Sequence, residues 1–459
     1  MSRTCALVAI LLGGGLAGEL ALHLFEPRLA LSWSYAHLGR HPALPALACV
    51  LVVACLALVP RAWCSRPSRE PLRPVRSSRV VALGLAGWVG VAVLGLLYPV
   101  RPISIDPVAF LGAIDKNAVD NGRWHLLLWT LGHLAEVFRP LVRTPVFLRI
   151  LNAGFATVAL VALAGCARRL ARSRGEAVAI TALAWSAFGV CQLAIGYLDI
   201  YPSVLAFATV YMWLGLAVLG GGFHPVWAFV VGAIGPFWYI GLALLAPSLI
   251  VIAAGVLRRA GGTHRLAGAA GAALAVAGLA TIPRFGRPFA WGAFVKAAAA
   301  ASDWGDRPNW ARGPLLPWHY VLTGTHLREL AHTFLLIDGV GVLLAAGAGL
   351  WLVCADPEGR RAPAFHFLLA LAATYLAYVV VMDPVFGAFG DWDLFSYGAA
   401  FTSLVGGYAF IRWGRACPRP FAVVLALALA TAGVHLLARL NALDVELTRH
   451  MAESPDHIR

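Results

Sequence analysis

Acidic side chains stand where apolar segments of the chain end, and their spacing suggests chemistry. Asp106 precedes Pro107, Asp199 lies in a segment of only a few residues, and Asp391 and Asp393 are two residues apart. Residues i and i+2 of extended backbone point the same way, so the last pair suits a cation or a basic group. A solvated turn explains that pair equally well, and Asp106 before a proline also suits a helix cap. Asp199 is harder to assign to solvent because apolar helices flank it closely.

No common catalytic motif accompanies these carboxylates. The chain has no GxGxxG after a strand, no P-loop, no HExxH and no GxSxG. Its eight cysteines form no CxxC pair, and we therefore predict neither a disulfide framework nor a zinc site. The carboxylates must be interpreted through the elements that position them.

The composition indicates that those elements lie in a membrane. Of 459 residues, only 13% are charged, 60% are hydrophobic, and the mean hydropathy is +0.77. A soluble protein has about 25% charged residues, so this chain cannot cover a water-facing surface. We predict an all-α polytopic transmembrane bundle surrounded by membrane lipids. The net charge of +14 comes mostly from arginine clusters between apolar segments, so nucleic acid is not an expected partner.

About 13 segments are apolar enough to span a bilayer, which takes about 20 residues each. They are 4–24, 43–60, 80–99, 146–166, 176–196, 201–220, 225–240, 241–257, 266–283, 330–354, 364–382, 396–412 and 420–438. The interval 225–257 can be interpreted as two spans or as one tilted span.

Arginine clusters predict how these spans are oriented. Short arginine-rich loops stay in the cytoplasm, and the clusters lie in 61–79, 168–174, 258–265, 360–361 and 412–419. We therefore expect a multi-pass protein of the bacterial inner membrane, with a cytoplasmic N-terminus and the C-terminus outside. All of the carboxylates named above then fall on the outer face.

Two apolar stretches are better explained as helices lying on the outer face. If residues 124–138 crossed the membrane, the arginine cluster at 168–174 would be outside. Their length of about fifteen residues also suits an interfacial helix better than a span. The stretch 327–336, before Asp338, receives the same interpretation.

The order of several motifs resembles that of the GT-C membrane glycosyltransferases. The resemblance covers about residues 80–413 and includes an acidic outer loop with Asp106 and an interfacial helix with His125. The motifs that follow are Leu148-Arg149-Ile150-Leu151-Asn152-Ala153, Gly196-Tyr197-Leu198-Asp199-Ile200-Tyr201, Thr325-His326-Leu327-Arg328-Glu329-Leu330 and Asp391-Trp392-Asp393-Leu394-Phe395. The chain departs from the family pattern in having two extra spans at its start, a single clear acid in the first loop, and Asp199 where a Glu is expected.

This resemblance implies an enzyme that moves a sugar from a polyprenyl-phosphate donor to a glycan, lipid or protein acceptor at the outer face. Asp106 would be the general base, and Asp391 and Asp393 would complete the catalytic set. Asp391 and Asp393 would also hold a divalent cation in a metal-dependent member, although other members work without metal. The substrate-binding residues would be Lys116, His125, Tyr197, Asp199, His326, Arg328 and Trp392.

Two other functions stay open from the residues alone. A transporter or flippase of a lipid or small solute predicts charged residues deep within spans, for which Glu19 is one candidate. A non-catalytic assembly subunit predicts separated carboxylates that each face water. Whichever function is correct, we divide the chain into three parts. These are two N-terminal helices with an arginine-rich loop (1–79), the core (80–413), and the last helix with a polar tail (414–459).

Overall fold

The structure, a computed structural model, describes residues 3–25, 43–65, 77–97, 126–194, 200–259, 321–382 and 395–442, together with Ala273. These residues are almost entirely helical. The α-helices are α1 (Arg3–Phe25), α2 (Ala43–Ser65), α3 (Ser77–Leu97), α4 (Leu126–Phe138), α5 (Thr144–Leu170), α6 (Arg174–Ser186), α7 (Phe188–Ala194), α8 (Tyr201–Leu219), α9 (Val226–Trp238), α10 (Ala246–Arg259), α11 (Gly324–Ala355), α12 (Pro357–Arg361), α13 (Pro363–Val381), α14 (Ala399–Ala416) and α15 (Pro418–Ala442).

The helices support a membrane protein. Within the described ranges, five segments are long and apolar enough to cross a bilayer: Thr144–Leu170, Tyr201–Leu219, Gly241–Arg258, Ile337–Ala355 and Pro363–Val381. Helices also cover the other segments predicted as spans, except 266–283, of which the structure describes Ala273 alone. The all-helical fold is thus confirmed, while the number of about 13 spans stays a prediction.

The interval 225–257 forms two antiparallel segments rather than one tilted helix. Pro236 lies near the end of α9, and Tyr239 follows in extended conformation with φ −151° and ψ 128°. A 3-10 helix (Ile240–Leu245) then leads into α10. A Cβ added to Gly232 would contact Leu249, which shows that the second segment returns along the first.

Side-chain caps begin several helices as the sequence would suggest. Ser173 accepts a hydrogen bond from the Glu176 N–H at 3.3 Å, and the Glu176 carboxylate accepts one from the Arg172 N–H at 2.6 Å. The arrangement resembles a capping box, except that the carboxylate accepts from the residue before the cap rather than from the cap itself. Thr323 caps α11 in a similar way by accepting from the His326 N–H at 3.2 Å.

The arginine-bearing connections meet at one end of the bundle, which we call the arginine end. The Arg415 guanidinium donates two hydrogen bonds to Glu176, of 2.9 and 2.7 Å, and so joins the end of α14 to the start of α6. Arg169 lies under the turn between α8 and α9, with its guanidinium carbon 5.9 Å from the ring centre of Phe223. These connections therefore share one side, as the sequence predicts, whereas the compartment that this side faces stays a prediction.

A second bidentate ion pair lies at the arginine end. Arg412 donates to both carboxylate oxygens of Asp356, with a distance of 2.9 Å from Nη2 to Oδ1. Burial alone would raise the pKa of Asp356, but the hydrogen bonds from Arg412 and from the Gly359 N–H outweigh burial and hold that pKa below its usual value. The pair thereby fixes the connection between α11 and α12 against α14.

The prediction that the chain has no disulfide is wrong. Cys5 and Cys417 are bonded, with their Cα atoms 6.4 Å apart and 412 positions apart in sequence. The start of α1 packs beside the connection from α14 to α15, and Thr431 donates to the Leu16 carbonyl at 3.4 Å. Helices α1 and α15 therefore run in the same direction away from the arginine end.

Helices α11 and α14 cross in close contact in the part of the bundle that carries the candidate site. A Cβ added to Gly406 would lie 2.6 Å from the Gly341 carbonyl oxygen and 3.0 Å from the Ala345 nitrogen. The two backbones therefore touch, as is usual where small residues meet in membrane helices. This crossing holds the first turns of α14 against the middle of α11.

Helix α4 agrees with the predicted helix at 124–138. Its 13 residues extend about 20 Å, which is too short to cross a hydrocarbon core of about 30 Å. A short turn joins it to α5, where the rings of Phe138 and Phe147 stack with their centres 5.0 Å apart. Its position at the membrane surface stays a prediction.

Candidate functional site

Most of the predicted site residues lie outside the described residues. The structure describes His326 and Arg328 but not the remainder, which are Asp106, Lys116, His125, Tyr197, Asp199, Asp391, Trp392 and Asp393. Within the described part of the chain, no three His, Cys, Asp or Glu side chains are grouped as metal ligands. The candidate site is therefore built from described residues at the end of the bundle opposite the arginine end, which we call the opposite end.

His326 connects two helices at the opposite end. It is buried in the first turn of α11, and its Nε2 lies 2.9 Å from the carbonyl oxygen of Val380, near the end of α13. A carbonyl only accepts hydrogen bonds, so Nε2 carries a proton in this contact. This hydrogen bond gives His326 a structural role beside the predicted substrate-binding one, whereas Arg328 is exposed.

Four buried tyrosines from four elements contact one another near the opposite end. We call Tyr201, Tyr239, Tyr375 and Tyr397 the tyrosine cluster. The ring of Tyr201, the first residue of α8, meets that of Tyr239 edge-on at 5.8 Å. The rings of Tyr397 and Tyr375 meet in the same manner at 6.4 Å.

Backbone carbonyls accept hydrogen bonds from the hydroxyls of two members of the tyrosine cluster. Tyr375 donates to the Phe395 carbonyl at 2.7 Å, and Tyr397 donates to the Gly241 carbonyl at 3.5 Å. Buried tyrosine hydroxyls usually need such partners. The Gly241 contact also links the two halves of the cluster, because a Cβ there would lie 3.1 Å from the Tyr397 hydroxyl and 2.6 Å from the Tyr239 ring.

A carboxylate that is not among the predicted site residues lies beside this cluster, close enough to Tyr375 for an electrostatic interaction. Asp338 is 4% exposed and interrupts α11, since its φ of −159° and ψ of 55° are not helical. Its Oδ1 accepts the Gly341 N–H at 3.0 Å, and its Oδ2 accepts the hydroxyls of Thr402 at 2.5 Å and Ser403 at 2.7 Å.

The depth of Asp338 follows from helix geometry. Seventeen residues at 1.5 Å each place it about 26 Å from the end of α11 at Ala355. If α11 crosses a bilayer from the arginine end, this distance puts Asp338 near the far edge of a hydrocarbon core of about 30 Å. An acid within the apolar segment 330–354 was the sequence signal for this residue, because such acids are rare and mostly functional.

Two more buried polar groups belong to the same half of the bundle. The Nε atom of Arg149 and the Oε1 atom of Gln192 are buried, and neither has a hydrogen-bond partner among the described residues. Arg149 lies 21 residues before Leu170, about 31 Å from the arginine end. Gln192 lies one turn after Gly189, where an added Cβ would meet the Ser396 carbonyl at 2.7 Å.

No family model, curated protein or solved structure matches this chain.

Proposed function

We propose that this protein is an integral membrane glycosyltransferase that uses a polyprenyl-phosphate-linked sugar as donor. The observation that carries the proposal is the tyrosine cluster, whose ring contacts and hydrogen bonds to the Gly241 and Phe395 carbonyls connect Tyr201 with Phe395. Each of these residues stands two positions after a predicted site acid, Asp199 or Asp393. Two residues of chain reach at most about 7 Å, and on this basis we propose that both acids line one site at the opposite end of the bundle.

The reaction requires a base, an electrophile and a leaving group. We assign Asp106 as the base that takes the proton of the acceptor hydroxyl, for which it must come within about 2.6–3.2 Å of that oxygen. The oxygen then bonds to the anomeric carbon of the sugar as the bond from that carbon to the carrier phosphate breaks. Asp391 and Asp393 would hold a divalent cation or the sugar hydroxyls.

The departing phosphate needs positive charge and hydrogen-bond donors. The sequence offers five candidates of equal standing for this role, which are Lys116, Arg123, Arg284, Arg287 and Arg328. The buried Nε of Arg149 adds a candidate, since it has no hydrogen-bond partner in the described part of the chain. An arginine guanidinium suits phosphate because its donors form a planar fork.

The test is sugar transfer by the purified protein in liposomes that contain a polyprenyl-phosphate sugar. We expect Asp106→Asn to reduce turnover about 100-fold or more, as the loss of a general base does. The control is Asp120→Asn, which removes an acid of the same predicted outer loop without a proposed role. Equal turnover by the Asp106→Asn variant and the wild type would exclude Asp106 as the base, and no transfer from any lipid-linked sugar would refute the proposed function.

A transporter of a lipid or small solute is the second candidate, and Asp338 favours it. Transporters bind substrates and ions at interrupted helices, and α11 is interrupted at this carboxylate, although Asp338 lies farther from the middle of the bundle than such sites usually do. The same liposomes discriminate between the two functions. Movement of a labelled lipid or solute across the bilayer without a new glycosidic bond would support transport and contradict transfer.

A further inference from the structure

Asp338 lacks a cationic partner within the described residues. Its three polar contacts are with the Gly341 N–H and with two hydroxyls of α14, those of Thr402 and Ser403. Helix α7 packs closely against the residue before Asp338, since a Cβ added to Gly189 would lie 2.9 Å from Ile337. Of the titratable groups on the described helices packed around it, Tyr375 of α13 is the one that interacts with it electrostatically.

Helix capping alone does not explain a carboxylate at this position. The Gly341 N–H needs an acceptor because it belongs to the first turn after the interruption, and a Ser or Asn side chain would supply one without charge. A buried carboxylate without a cation is costly, and such a group usually becomes neutral instead. Among the described residues the carboxylate thus has no compensating positive charge, and a bound proton would supply one.

The position of Thr402 shows how a proton can be accommodated. Its single hydroxyl proton has two acceptors within reach, the Asp338 Oδ2 at 2.5 Å and the Ala399 carbonyl oxygen at 3.1 Å. When Asp338 is ionised, Thr402 donates to it. When Asp338 carries a proton on Oδ2, that O–H donates to the Thr402 oxygen, and Thr402 turns its own proton to Ala399. Both states keep their hydrogen bonds without movement of the heavy atoms.

We propose that Asp338, with Thr402 and Ser403, forms a reversible proton-binding site in the half of the bundle away from the arginine end. Proton binding forms one O–H bond at Oδ2 and reverses one hydrogen bond, and it requires no other reactant. The proposal does not depend on glycosyl transfer. It gives the protein a means to respond to, or to carry, protons at the membrane.

Infrared difference spectra of the purified full-length protein test this proposal. We expect the wild type to show the carbonyl band of a protonated carboxyl group and to lose this band as pH is raised. The Asp338→Asn variant should not show the band at any pH. Thr402→Val removes a hydrogen bond from both forms, but the bond to the ionised carboxylate is the stronger of the two, so the band of the protonated form should persist to higher pH. The matched control is Thr209→Val, which removes a buried threonine hydroxyl that donates only to carbonyls of its own helix at 2.8 and 3.0 Å.

Three results would overturn the proposal. The first is the absence of a wild-type band at every pH at which the protein is folded. The second is a titration that is the same in Thr402→Val and in the wild type, which also keeps the test decisive when Asp338→Asn does not fold. The third is a melting temperature that Na⁺, but not choline, raises in the wild type alone, since this would identify a metal cation instead of a proton.

Discussion

Gly406→Ala should destabilise the protein, because the added methyl group has no space at the crossing of α11 and α14. The two nearest atoms, at 2.6 and 3.0 Å, belong to the backbone of α11 and cannot rotate away. Overpacking of this kind costs about 1–3 kcal/mol. One of the two atoms is the carbonyl oxygen of Gly341, whose N–H donates to Asp338, so the substitution should also disturb the Asp338 site.

The adjacent Gly407 provides the matched control. An added Cβ there would meet the flexible side chain of Ile180 at 3.3 Å, which can move by a few tenths of an ångström. Both substitutions gain the same helix propensity, up to about 1 kcal/mol, so their difference isolates the crossing. We expect Gly406→Ala to melt several degrees below Gly407→Ala in detergent, measured by tryptophan fluorescence. Equal melting temperatures would refute the close approach of the two helices.

Three further perturbations concern contacts at the two ends of the bundle. Arg415→Gln should lower the free energy of unfolding by about 1–2 kcal/mol, since its pair with Glu176 is only partly buried; a double-mutant cycle that gives no coupling would contradict this. Because Asp356 has a lowered pKa in the folded state, its contribution to stability is present above about pH 4 and lost as pH falls further, and Arg412→Gln should weaken this dependence in acid unfolding. Tyr375→Phe leaves the Phe395 carbonyl without its donor and should cost about 1–3 kcal/mol; an unchanged melting temperature would argue against that hydrogen bond.

The sequence was sufficient to predict the helices and the relative sides of their ends. Backbone groups in lipid must bond within their own segment, so a long apolar run leaves little alternative to a helix. Arginine clusters then distinguish the two ends, and the contacts of Arg415 and Arg169 agree with that grouping. The sequence alone does not decide whether 225–257 forms one segment or two. Pro236 and Gly241 mark possible points of division, but the chain turns at Tyr239, whose extended backbone cannot be predicted from its residue type.

Contacts between distant residues could not be read from spacing. Asp338 meets Thr402 and Ser403 across more than sixty positions, and no periodicity in the sequence connects these residues. His326 was selected for substrate binding, but the carbonyl that its ring contacts is supplied by another helix. Such partners depend on how the helices cross, and that is decided by small residues such as Gly406 together with the packing around them.

The bond between Cys5 and Cys417 closes more than four hundred residues into a single covalent ring. A protease that cuts once anywhere inside this ring yields fragments that stay attached and migrate together until a reductant separates them. An experimenter who maps exposed loops by limited digestion must therefore compare reduced with unreduced gels, because the unreduced lane alone would conceal every such cut.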